Sequence, residues 1–97
     1  MVLDPQFVDV GVSRVDRDWR IVLARPLLVM KAPKGILGCG YINVETCNKT
    51  GEVCAIVTGV NTFDDMRKAK VVATSNKAVE LGIQVGESGQ DALNKMR

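Results

Sequence analysis

Residues 27–30 read "LLVM", with no polar alternate. A strand that shows one face to water alternates apolar and polar side chains with a period of two, so a strand that is apolar at every position needs cover on both faces. Cover is scarce in a chain of 97 residues, because a domain of this size buries only roughly 65% of the surface its unfolded form exposes. Two sources are open at this level: helices from the same chain, or a second subunit.

The flanking residues extend the β-rich pattern. Over residues 7–15 a period of two puts Val8, Val10 and Val12 on one face, which predicts a half-buried strand. Residues 15–18 read as a turn. Trp19, Ile21 and Leu23 then alternate with Arg20, Val22 and Ala24 as far as Pro26. Proline lacks the ladder donor and belongs at a bulge, a strand end or an edge, so the stretch predicts two consecutive strands or one bent strand. "KAPKG" is a turn in which Gly35 is free to take a positive φ. "ILGCGYI" predicts a third strand interrupted by Gly38 and Gly40. Asn43 suits the N-cap of a short helix through Lys49 that Gly51 ends in a left-handed cap, and "EVCAIVTGV" reads as a long central strand.

The second half reads as helices. Thr62 caps "FDDMRKA", with Asp64 and Asp65 at the positive end of the helix dipole and Arg67 and Lys68 at the negative end. "VVATSNKAVEL" places Val72, Asn76, Val79 and Ile83 at helical spacing. Ser88 caps "GQDALNKM", whose Ala92, Leu93 and Met96 form a narrow apolar stripe. With one Trp, one Tyr and two Phe, the core has to be aliphatic.

Charge and composition exclude several functions. The net charge is +2, and basic residues come only in short groups such as Lys31/Lys34 and Arg67/Lys68/Lys70, not in the stripe that would neutralise several phosphates, so no nucleic-acid partner is expected. No apolar run approaches the ~20 residues of a membrane span. Asp4, Pro5 and Asp9 occupy the place of a signal-peptide apolar region, which predicts a cytoplasmic protein with reduced thiols. The chain has no histidine, which removes the usual neutral-pH base, the Ser-His-Asp and Cys-His arrangements and the commonest metal ligand.

Cys39, Cys47 and Cys54 are too widely spaced to clasp one zinc from a single turn. Free cysteine is among the most buried residue types, so the three read first as core residues, with Cys39, between Gly38 and Gly40, the one open to a ligand. Gly35, Gly38 and Gly40 do not make a phosphate loop, because no Lys-Ser or Lys-Thr follows. The segment around Ser88 and Gly89 reads as an ordinary cap, with anion binding by its free amides as the functional alternative.

Taken together, "CGYINVET", "AIVTGVNTFDDM" and "KAVELGIQVGESGQDALNKM" resemble the YunC-like domain of unknown function (DUF 1805) of bacteria and archaea. The matching residues are Cys39, Gly40, Gly59, Val60, Thr62, Gly82, Gly86, Ser88 and Gly89. The resemblance implies a small α+β domain, residues 1–97, whose β-rich N-terminal region, residues 7–32, serves tetramerisation. It brings no enzymatic activity and leaves Cys47 and Cys54 as packing residues.

The expectation is therefore an α+β fold: an antiparallel or mixed sheet from the N-terminal half, with about three short helices on one face. The chain is expected to form a homo-oligomer, dimer or tetramer, through Val8, Val10, Val12, Trp19, Ile21, Leu23, Leu27 and Val29. Its expected role is a non-enzymatic module for a small anionic ligand or a protein, with Cys39, Gly38, Gly40, Ser88 and Gly89 as candidate site residues and with no catalytic residue, metal or cofactor. The alternative is a thiol-dependent enzyme, or a redox or metal protein, centred on Cys39, with Lys31 or Lys34 lowering the thiol pKa.

Overall fold

The computed structural model describes residues 17–97. The strand expected over residues 7–15, with Val8, Val10 and Val12, lies outside them. Five strands form one sheet in the order β1 (Arg17–Ile21), β2 (Leu27–Ala32), β3 (Gly35–Gly38), β4 (Cys54–Ile56) and β5 (Ala73–Thr74). β1, β2 and β3 pair antiparallel, β3 and β4 run parallel, and β5 returns antiparallel to β4. Four helices complete the α+β fold: α1 (Val44–Thr50), α2 (Phe63–Lys68), α3 (Asn76–Glu80) and α4 (Gly89–Lys95).

Of the two alternatives, two consecutive strands or one bent strand, the structure has the first, β1 and β2, and Pro26 stands just before β2. Of the turn expected at residues 15–18, Arg17 and Asp18 are instead paired, opposite Lys31 and Met30 in the ladder. Register then sorts the "LLVM" side chains. Met30, Leu37 and Ala55 align across β2, β3 and β4 on one face, where with Leu28 and Ala32 they join the core formed with Met66, Ile83, Leu93 and Met96. The opposite face carries Trp19, Val29 and Ile36, which stay half-buried. Full burial on both sides of β2 is thus not reached within these residues.

The helices start where their caps predict. Asn43 Oδ1 accepts from Glu45 N at 2.7 Å, Thr62 Oγ1 from Asp65 N at 3.0 Å and Ser88 Oγ from Asp91 N at 3.1 Å. Gly51 ends α1 with φ +75°, a conformation costly for any side chain with a Cβ. The stripe on α4 is buried in full: Ala92, Leu93 and Met96 have no exposed surface. Gly89 lets α4 cross α2 closely, because a Cβ there would overlap the Met66 carbonyl oxygen.

Four expectations are corrected. The helix expected over residues 71–81 divides, because Ala73 and Thr74 pair with β4 and the Ser75 hydroxyl caps a shorter α3, leaving Val72 and Val79 exposed. The long strand expected over residues 52–60 is shortened to Cys54–Ile56. Gly35 is a strand residue whose backbone Val53 overlies, and it is not among the glycines with positive φ. There are four helices rather than three, and α1 approaches the sheet from the Cys54 side, opposite the core-facing Ala55.

Candidate functional site

The loop after β3 begins by extending the ladder. Cys39 N–H donates to the Leu28 carbonyl at 3.1 Å, and Leu28 N–H donates back to Cys39 Sγ at 3.3 Å. Ile42 N–H then closes a turn onto the Cys39 carbonyl at 3.0 Å. In β4's own continuation, Val57 N–H reaches the Gly38 carbonyl at 2.9 Å, and the chain bends away at Gly59.

These two turns leave the carboxyl ends of the parallel strands β3 and β4 side by side. Between them, and closed by Arg25 and Pro26 at the entry to β2, is a cavity of about 210 Å3 lined also by Cys39, Gly40, Tyr41, Thr58, Gly59 and Val60. The carboxyl edge of parallel strands is where open α/β sheets bind ligands, because the strands end there and the loops diverge. Its chemistry is legible from the lining: Val60, Pro26 and the Cys39 thiol offer an apolar floor, Tyr41 and Thr58 carry hydroxyls, and the exposed Arg25 brings a positive charge.

Of the expected site residues, Cys39 and Gly40 line this cavity, while Gly38 serves it indirectly. A Cβ on Gly38 would collide with the Ile42 side chain, so the glycine lets Ile42 lie over the sheet and sets the turn that shapes the wall. Ser88 and Gly89 are elsewhere. Gly89 N–H donates to the Ala69 carbonyl at 2.8 Å, Ser88 is spent as an N-cap, and Asp91 in the first turn opposes an anion. Arg25, Tyr41 and Thr58 carry no local motif; only the meeting of three strand ends brings them together.

Cys39 itself is 5% exposed and belongs to the main core. Neither lysine proposed as its partner is positioned for that role. Lys31 sits on the opposite face of β2 and donates to the Ala32 carbonyl at 2.6 Å, and Lys34 lies at the far turn of the β2–β3 hairpin. Among the described residues no three His, Cys, Asp or Glu side chains come together as a metal site.

The reading of all three cysteines as free core thiols is corrected: Cys47 on α1 and Cys54 on β4 form a disulfide, with Cα atoms 6.4 Å apart. Seven residues of separation hid the pairing, which arises because the chain leaves β3, forms α1 and returns as β4 alongside it. A second cleft of about 470 Å3 runs beside the bridge, lined by Ile36, Tyr41, Ile42, Thr46, Cys47 and Cys54 among others.

A family model described as "Domain of unknown function (DUF1805)" matches residues 38–96. The uncharacterized protein YunC of Bacillus subtilis (strain 168) is 36% identical over 66 residues, a match that spans 64% of this chain and 65% of that protein, just under two thirds of its length. The crystal structure of a protein of unknown function from Thermoplasma acidophilum is similar with a TM-score of 0.76 at 34% identity, covering 86% of this chain and 94% of that one. The family match takes in both turns of the cavity and the bridge, and leaves out β1, β2 and therefore Arg25. Among the described residues no helix is long and apolar enough to cross a membrane.

Proposed function

The chain belongs to the DUF1805 family of domains of unknown function, and from that premise we propose that it is a non-enzymatic, self-associating module that holds a small anionic ligand beside Cys39. The observation that carries this reading is the cavity at the carboxyl ends of β3 and β4, which among the described residues is lined by the cation Arg25, the hydroxyl-bearing Tyr41 and Thr58, and apolar Pro26 and Val60. At about 210 Å3 it is smaller than the ~300 Å3 at the lower end of ordinary ligand pockets, which suits an acid of a few carbons or an inorganic anion. Cys39 contributes to the floor: its residue is 5% exposed and packs in the main core, which limits the access a nucleophile needs.

Self-association is supported by the face that carries Trp19, Val29 and Ile36. Register sets Trp19 directly opposite Val29, and with Ile21 they form an apolar patch that the core side of the sheet cannot reach. In this reading residues 7–32 supply the subunit contact, and the protein works as a soluble cytoplasmic oligomer.

Binding is tested by thermal denaturation with acetate, succinate and inorganic phosphate, on the native protein and on Arg25→Ala. An anion at about 100 times its Kd should stabilise by about 2.7 kcal/mol and raise Tm by roughly 10–20 °C, with the effect lost in the variant. No shift with any of the three, or an equal shift in Arg25→Ala, would remove the cavity from consideration. Assembly is tested separately by sedimentation velocity, in which Val29→Asp should convert an oligomer to a monomer. A native protein that sediments as a monomer refutes that part.

A further inference from the structure

We propose that Cys47 and Cys54 are a reversible thiol–disulfide pair that locks α1 onto the sheet. The inference starts from how little else holds this helix. α1 has seven residues, and the only one buried is Cys47; an isolated helix shorter than ~12 residues is marginal in water. Its cap at Asn43 and its left-handed end at Gly51 set where it begins and ends, and an Asn48 side chain accepts from Asn76 N at 2.7 Å. The covalent contact between the helix and β4 is the sulfur bridge.

Three features distinguish this pair from a bridge sealed in a core. Cys47 and Cys54 stand apart from the main hydrophobic cluster, which contains the free Cys39. The cleft of about 470 Å3 beside them has both cysteines in its wall; Cys54 has no exposed surface and Cys47 is 6% exposed, so a small thiol approaches from the Cys47 side. Cys39 cannot intercept the exchange, because it faces the core whereas Cys54 occupies the other face of the sheet. The pair therefore opens and closes only with an external partner.

That partner is a soluble dithiol or its disulfide. A thiolate of the dithiol attacks one sulfur of the bridge, forming a mixed disulfide and releasing the other cysteine as a thiolate that takes up a proton. The second thiol of the reductant then displaces the remaining cysteine, leaving two protein thiols and one disulfide in the reductant. Closure is the reverse, with the small disulfide as oxidant. Opening removes the covalent tie from α1 and, with it, the wall that the helix lends to Ile36 and Tyr41; Tyr41 also lines the cavity beside Cys39.

The experiment equilibrates the folded chain with reduced or oxidised dithiothreitol, quenches with acid, counts free thiols by alkylation in denaturant and mass spectrometry, and follows amide hydrogen exchange of the folded samples. In the oxidised sample one cysteine should alkylate, Cys39, and in the reduced sample all three. Losing a loop constraint with a sequence separation of 7 should raise the opening equilibrium of α1 by up to about 50-fold. Exchange over α1 should quicken accordingly while β2 and β3 stay protected, and oxidised dithiothreitol should restore the slow rate. Cys47→Ala, which places a good helix former on α1, should exchange fast in both states. Three free thiols in the oxidised sample, a bridge that the dithiol opens only after global unfolding, or α1 exchange indifferent to reduction would each overturn the proposal.

Discussion

Among the described residues two serines cap helices, and the same substitution at each should differ in cost because one is buried. Ser75 has no exposed surface. Its Oγ accepts from Ala78 N at 3.3 Å as the cap of α3, accepts from Cys54 N at 2.9 Å in β4 and donates to the Glu52 carbonyl at 2.8 Å. Ser75→Ala removes a cap, worth about 1 kcal/mol. It also leaves the N–H of Cys54, itself with no exposed surface, without a partner, which costs about 1–3 kcal/mol. Glu52 is exposed, and its carbonyl can turn to water at little cost.

The sum is about 2–4 kcal/mol, or roughly 10–30 °C in Tm for a domain of this length. Ser88→Ala removes only the bond to Asp91 N, 3.1 Å long and exposed, and should cost about 1 kcal/mol. The assay is urea denaturation of both variants and the native protein, followed by circular dichroism at one protein concentration so that any association contributes equally. A Ser75→Ala midpoint no lower than that of Ser88→Ala would refute the reasoning, because it would mean that the Cys54 amide finds water or another acceptor.

A similar contrast separates two glycines. Gly89→Ala drives a Cβ into the Met66 carbonyl between two elements with no slack, and should cost about 1–3 kcal/mol; Gly51→Ala meets no atom within 4 Å and should lose only the left-handed backbone preference, about 1–2 kcal/mol. Thermal melts compare them, and the double substitution should be additive, since the sites share no contact. Cys39 should alkylate in the oxidised native protein only as fast as the core opens, so its rate should rise in step with added urea; rapid labelling in buffer would show that the thiol is reached through the cavity.

Local chemistry was legible wherever a side chain acts on its own backbone. Asn43, Thr62 and Ser88 each accept from an amide two or three residues ahead, so the starts of α1, α2 and α4 follow from residues within one turn. The α4 stripe, the strand pair around Pro26 and the absence of histidine-based chemistry were equally open to reading, since each depends on spacing or composition alone. Ser75 shows the limit: its hydroxyl reaches Cys54, 21 residues earlier, and that distant partner favours a strand at Ala73–Thr74 where periodicity favours a helix.

The candidate site falls almost wholly on the far side of that limit. Arg25, Tyr41 and Thr58 converge because β3 and β4 are parallel neighbours and β2 begins beside them, a relation set by long-range pairing that leaves no periodic trace. The bridge between Cys47 and Cys54 arises from the same crossover. Sequence specifies which segments can form helices and strands because hydrogen bonding and capping act over a few residues; which of their ends meet depends on register and packing between segments, where the free energy of burying Leu28, Met30 and Leu37 outweighs local preference.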